Sequence, residues 1–240
     1  MVAASPNTPP ASKPTASPPL RGWASSLAFV AGYVDTLGFI ALFGLFTSHV
    51  TGNFVLIGKE LTGPGEGVLL KLLAFPAFIV GVAVARLLSL GLARCGRSSL
   101  RPLLLLQAAL LLAFMAAGWG ALPIRSPDAA AVLWCGMLGA VAMGLQNAQA
   151  RLELAPLVPT TVMTGNVTQV VIDLVDLALG QAGAERAAAK SRLRRMLPPV
   201  LGFGAGAIGG AYAWQWLSFA ALSLPVALLL GLAARAPQPR

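Results

Sequence analysis

Six apolar stretches, 23–46, 72–92, 103–122, 129–150, 196–212 and 214–232, divide this chain. A helix needs about 20 mostly apolar residues to cross the hydrocarbon core of a bilayer. In lipid, no water is present to satisfy a backbone N–H or C=O, so a spanning segment closes its hydrogen bonds internally as a helix or joins a closed barrel. A spanning strand is only about ten residues long. Runs of this length therefore select helices. Composition agrees, with 57% hydrophobic residues against 10% charged, where a soluble domain carries roughly 25% charged. The expected fold is an all-α polytopic membrane bundle of about six transmembrane helices, with the lipid bilayer as its first partner.

Two short polar segments interrupt this pattern. One reads "TSHVTGNFVLIG" over 47–58 and the other "TTVMTGNVTQVV" over 160–171. The first lies between the first and second spans, and the second between the fourth and fifth. Charge decides whether they cross. With six spans and both termini in the cytoplasm, thirteen of the seventeen Lys and Arg residues lie inside. Lys59, Lys71 and Arg125 lie outside, and Arg86 falls within a span. Letting the T-G-N segments cross moves Arg94, Arg97 and Arg101 outside, against the tendency of Lys and Arg to stay in cytoplasmic loops. Each T-G-N segment is therefore read as a re-entrant or broken helix.

Three spans in the first half give the second half the opposite orientation. The halves also resemble each other. "GYVD" at 32–35 precedes the first T-G-N, as "GLQN" at 144–147 precedes the second. Phe78, Gly81 and Ala85 match Phe203, Gly206 and Gly210 in spacing. Small residues four apart let helices approach closely in lipid. The organisation expected is two inverted three-helix repeats, 23–122 and 123–234, between a disordered cytoplasmic tail at 1–22 and a short cytoplasmic tail at 235–240. The segment 1–20 has no apolar core next to its start and is not read as a signal peptide.

Inverted repeats with discontinuous helices place solute sites where half-helix starts meet near the midplane. Thr51 and Thr164 are expected to cap short helices with their hydroxyls. Gly52 and Gly165 allow close backbone approach, and Asn53 and Asn166 offer both a donor and an acceptor. These six residues, with Asn147, form the expected solute-binding set. Two opposed helix starts, each worth roughly half a positive charge, favour an anion or the negative end of a polar solute. The alternative is tight helix packing with no ligand.

Asp35 lies deep in the first span, where an isolated carboxylate costs several kcal/mol. Asp173 follows the second T-G-N, and His49 precedes the first. These three are the candidates for proton or ion coupling. The alternatives give Asp35 bonds to backbone or Asn147, and His49 a loop role. Gln146, Asn147 and Gln149 either line a path or bond between helices. A single histidine cannot build a multi-His metal site, so no metal or cofactor is expected. Cys95 and Cys135 have no pairing signature and are read as free thiols. The net charge of +9 is assigned to cytoplasmic loops rather than to nucleic acid.

The stretches "GYVDTLGF", "TSHVTGN", "GLQNA" and "TTVMTGNVTQVVIDL" resemble the YoaK family of bacterial inner-membrane proteins, a domain-of-unknown-function family, over roughly 23–232. The resemblance implies a multi-pass plasma-membrane protein and supplies no activity. The functional expectation is therefore physical: a transporter or channel for a small polar or anionic solute, with proton coupling through Asp35, and with a homo-oligomer suiting so small a protomer. A membrane scaffold or sensor is the alternative. An intramembrane aspartyl-type enzyme is a third reading, which the absence of H-E-x-x-H, G-x-S-x-G and P-loop patterns disfavours.

Overall fold

The structure, a computed structural model, describes residues 22–237 apart from 64, 155 and 156. The expected N-terminal tail falls outside the described residues. All regular secondary structure among the described residues is helical: α1 (Trp23–Ala41), α2 (Gly52–Leu61), α3 (Val68–Arg94), α4 (Leu100–Gly120), α5 (Ala130–Leu152), α6 (Thr164–Ala178), α7 (Gly183–Leu217) and α8 (Ser223–Arg235). Five stretches are long and apolar enough to cross a membrane, the last being 183–235. The fold is thus a polytopic helical bundle, as expected.

That last stretch is not one helix. α7 ends at Leu217, Ser218 takes a φ of 50°, and a 3-10 segment, Ser218–Leu222, turns the chain. Phe219 fixes the turn by packing edge-on to Phe114 and Trp214, with ring centroids 6.0 and 5.0 Å apart. The Tyr33 hydroxyl donates to the Ala221 carbonyl at 2.9 Å. α8 then packs back along α4. Its 13 residues rise only about 20 Å, less than the thickness of a bilayer core. The boundary expected between 212 and 214 lies at Ser218 instead, because contacts of Phe219 rather than hydropathy place the turn.

α1 also stops earlier than its apolar run. The run extends to Phe46, but the helix ends at Ala41, and Phe43 and Gly44 take φ values of 49° and 76°. The Gly44 N–H returns to the Phe39 carbonyl at 2.9 Å, a left-handed helix ending that glycine permits. Hydropathy continues through Leu42–Phe46 while the backbone has already reversed. α2 and α6, with 10 and 15 residues, rise about 15 and 22 Å. Both are too short to cross a core about 30 Å thick.

Helix pairing is exchanged between the halves. α1 packs on α7 and α3 on α5, while α2 and α6 lean on the helices that follow them, α3 and α7. The closest approaches fall at matched positions. A Cβ on Gly32 would strike the Phe203 carbonyl, and one on Gly144 would strike the Phe78 carbonyl. Likewise Gly206 sits against the Phe29 carbonyl and Gly81 against that of Val141. These are the same contacts with the halves swapped, made by the small residues that the sequence pattern singled out.

Overpacking at such a contact costs about 1–3 kcal/mol. Gly144→Ala and Gly32→Ala are each expected to lower the thermal midpoint of the detergent-solubilised protein by several degrees. Gly204→Ala, which meets nothing within 4 Å, is expected to leave it unchanged. Circular dichroism melts check this.

Candidate functional site

The two broken helices are built by one device used twice. After α1 the chain doubles back, and Asp35 receives it. The carboxylate Oδ1 accepts from the Ser48 N–H at 2.6 Å, the Thr47 hydroxyl at 3.3 Å and the His49 N–H at 3.4 Å. After α5 the chain doubles back to Asn147, whose Oδ1 accepts from the Thr161 hydroxyl at 2.6 Å. Ser48 and Thr161 stand 113 residues apart, as do the T-G-N triads. Asp35, six residues before the end of α1, thus draws the loop roughly 9 Å back into the membrane. There it supplies the acceptor that water supplies elsewhere.

Asn53 and Asn166 serve the same loops. The Asn53 amide donates to the Phe46 carbonyl at 2.8 Å and accepts from the Phe46 N–H at 2.9 Å. The Asn166 amide donates to the Pro159 carbonyl at 2.8 Å. Residue 159 is a proline and has no N–H to return, so the second staple is single. Both asparagines are buried; Asn53 is bonded to backbone alone, while the Asn166 amide also meets the Met163 sulfur at 3.5 Å.

The expected hydroxyl caps are not formed. Thr51 is the N-cap of α2 but makes no side-chain cap bond, and Thr164 is the first residue of α6, behind Met163. α2 is instead closed by a tight preceding turn. Gly52, Asn53 and Phe54 donate to His49, Val50 and Thr51 carbonyls at 2.8, 3.2 and 3.2 Å. α6 has no such turn. The N–H groups of Thr164, Gly165 and Asn166 meet no acceptor among the described residues. The two helix starts, alike in sequence, are therefore electrostatically different.

Charged anchors fix the far ends. Asp173 is buried and accepts from Arg192 at 2.7 Å and from Gln169 at 3.1 Å. At the equivalent place, 113 residues earlier, Glu60 pairs with Lys71 at 2.8 Å. Lys71 is fully buried and also donates to the Phe43 and Glu66 carbonyls. Sequence reasoning placed Lys71 in an outer loop and passed over Glu60. Applying the T-G-N offset to Asp173 would have found it. Asp35 and Asp173 share no hydrogen bond, being held by separate partners.

Between the interrupted helices lies a cavity of about 350 Å³. Equivalent residues of both halves wall it: Ser48 and Thr161, Thr51 and Thr164, Phe78 and Phe203. His49 and Asn147 complete its polar lining. A second cavity of about 530 Å³ adjoins it, sharing Asn147, Thr161 and Val162 and reaching Arg151 and Gly165. Of the expected set, Thr51, Thr164, Asn147 and His49 line the central cavity, and Gly165 and Asn166 line the adjoining one. Gly52, Asn53, Asp35 and Asp173 line neither.

On the side opposite Arg151 the matched positions form an aromatic stack. Phe39 packs on Phe46 with ring centroids 4.7 Å apart, and His49 lies 5.7 Å beyond. The matched positions in the second half hold Arg151, Pro159 and Val162, which line the open cavity. Of the three polar residues near the end of α5, only Asn147 reaches the cavity. Gln146 donates to the Leu27 carbonyl at 2.8 Å and accepts from Gln107 at 2.6 Å, a bond between helices. Cys95 is exposed and Cys135 buried, both as free thiols.

A family model described as "Protein of unknown function (DUF1275)" matches residues 23–235. Among curated proteins, the UPF0700 transmembrane protein YoaK of Bacillus subtilis (strain 168) is 29% identical over 154 residues, 62% of this chain. The matched region spans 65% of that relative's length. No solved structure matches.

Losing an acceptor or donor partner for buried backbone costs about 1–3 kcal/mol per orphaned group. Asn53→Leu orphans two groups on Phe46, whereas Asn166→Leu orphans one on Pro159. Urea or thermal unfolding in detergent is expected to show the larger loss for Asn53→Leu, by about 1 kcal/mol or more. Equal losses would show that the two staples do not differ as described.

Proposed function

Since the chain belongs to the DUF1275 family of membrane proteins, we propose that it carries a small polar or anionic solute across the bacterial plasma membrane. The observation that supports this most is the cavity walled by matched residues of both halves, where two helices are interrupted at membrane depth. Irregular backbone at that depth is tolerated where it lines a cavity or is buried in protein. A scaffold or sensor would have no need of a polar cavity between the two breaks.

The asymmetry of the cavity favours a carrier. Matched positions hold an aromatic stack of Phe39, Phe46 and His49 on one face and line a cavity beside Arg151 on the other. Two halves of opposite orientation that exchange these arrangements would expose the site to each face in turn. We read the present structure as the state open to the Arg151 face. Helix connectivity puts Arg94, Arg97, Arg101, Arg151, Arg235 and the basic start of α7 on that face, with Lys59, Lys71 and Arg125 opposite. The excess of Arg and Lys assigns the Arg151 face, and with it both termini, to the cytoplasm. Homo-oligomerisation belongs to the same reading, since six crossings form a small unit.

This reading assigns no catalysis. Asp35 is occupied as a backbone acceptor and Asp173 as an ion-pair partner. Proton coupling, if carried by one of the expected three, falls to His49, which lines the cavity.

Val162 lies at the junction of the two cavities and is 58% exposed. Val162→Trp is expected to abolish solute flux. The thermal midpoint stays unchanged. Leu179→Trp, at an exposed position on the end of α6, is the control. Stopped-flow light scattering of proteoliposomes facing gradients of lactate, glycerol and urea reads the flux. Wild-type vesicles no more permeable than protein-free ones would remove the transport reading.

A further inference from the structure

Charge and hydrogen-bond donors are distributed unevenly around the two joined cavities. The central cavity is lined by no Asp, Glu, Lys or Arg side chain, and the adjoining one by a single charged side chain, Arg151. The α6 start reaches both cavities through Thr164 and Gly165, and the N–H groups of Thr164, Gly165 and Asn166 have no acceptor among the described residues. A helix start with unmet N–H groups attracts negative charge. The α2 start does not offer this, because its first N–H groups are bonded within the preceding turn.

A second, independent observation lies across the cavity. Ser48 is only 4% exposed and lines the central cavity, and its hydroxyl has no hydrogen-bond partner. Its own N–H is held by Asp35 at 2.6 Å, so the residue is fixed while the hydroxyl is spare. A buried hydroxyl without a partner is costly unless something else satisfies it. The remaining walls are apolar, with Phe78 and Phe203 from the two halves and Val50, Val162 and Met163 between them.

The geometry points to a small organic monoanion as the solute: a carboxylate on a compact apolar body. This inference rests on the transport reading given above and names its substrate class. Arg151 draws the carboxylate in at the open face. The α6 N–H groups then receive it, the Ser48 side chain, buried at the cavity wall, rotates to add its hydroxyl, and the apolar body lies between Phe78 and Phe203. Asp35 lines neither cavity and is engaged by the backbone N–H groups of Ser48 and His49. A cavity of about 350 Å³ corresponds to roughly a dozen water volumes, room for an acid the size of benzoate.

Paired probes test this on the full-length protein. Benzoate and isobutyrate are compared with their neutral amides, benzamide and isobutyramide, and with the cation benzylamine. Binding is measured by calorimetry in detergent and uptake in proteoliposomes at neutral pH. The carboxylates are expected to bind at least about tenfold tighter than the amides, the scale of a charge-assisted hydrogen bond. Ser48→Ala is expected to weaken carboxylate binding about threefold to tenfold. Arg151→Gln should slow carboxylate uptake, most strongly at low salt, while Arg151→Lys retains it. Amides bound as tightly as carboxylates, or carboxylate binding indifferent to both Ser48→Ala and Arg151→Gln, would overturn the monoanion assignment. If benzamide then crosses faster than in protein-free vesicles and Val162→Trp removes the excess, transport stands with a neutral solute. If no probe crosses wild-type vesicles faster than protein-free ones, both readings fall.

Discussion

Backbone polar groups that leave a helix inside a bilayer must be met by protein, and the structure is organised around two places where this is done. In the first half a carboxylate, Asp35, collects the Ser48 and His49 N–H groups, and Asn53 closes both polar groups of Phe46. In the second half the weaker acceptor Asn147 takes the Thr161 hydroxyl, and Asn166 makes a single bond to Pro159. The rest of the bundle holds these interruptions in place. Glycines let the crossing helices come within carbonyl contact, and the pairs Glu60–Lys71 and Asp173–Arg192 tie each half-helix to the next full one.

The difference between the halves matters as much as their likeness. The first interruption meets its backbone more fully, with a carboxyl acceptor, a double staple, a closed turn before α2 and an aromatic stack beside it, and leaves over the Ser48 hydroxyl. The second is undersaturated, with a neutral acceptor, a single staple and free N–H groups at the start of α6. Undersaturation is what a solute site needs, because a polar solute binds only where donors or acceptors are left to meet it. The larger adjoining cavity accordingly lies at the second interruption, beside Arg151. Family membership fixes the class of protein, while the proposed transport and its anionic cargo rest on this imbalance.

Much of the site was visible in the sequence as position, and little of it as role. The offset between the two T-G-N triads located both interruptions, and Thr51, Thr164 and Asn147 do line the cavity. The asparagines looked like solute ligands because they are polar and deep, but depth gives backbone first claim on such groups. Asp35 looked available for protons for the same reason. The Thr51 cap failed because the turn before α2 already satisfies its first N–H groups, and the Thr164 cap because α6 begins at Thr164 itself, behind Met163. Ser48, Phe78, Phe203 and Arg151 were quoted in motifs or charge tallies, yet no spacing rule brings residues from different helices onto one wall.

The sequence by itself determined that the chain is a bundle of membrane helices, where two of them break, and which small residues mark the close crossings. Those outcomes follow from local quantities: hydropathy summed over a span, the reach of one side chain to nearby backbone, and the space a Cβ occupies. Only the tertiary structure decided which polar groups are left over. A donor is spent or spare according to what the neighbouring helix brings against it. That depends on how distant segments pack, as with the Phe219 turn that ends α7, the Lys71 ammonium buried under Glu60, and the Ser48 hydroxyl that meets nothing.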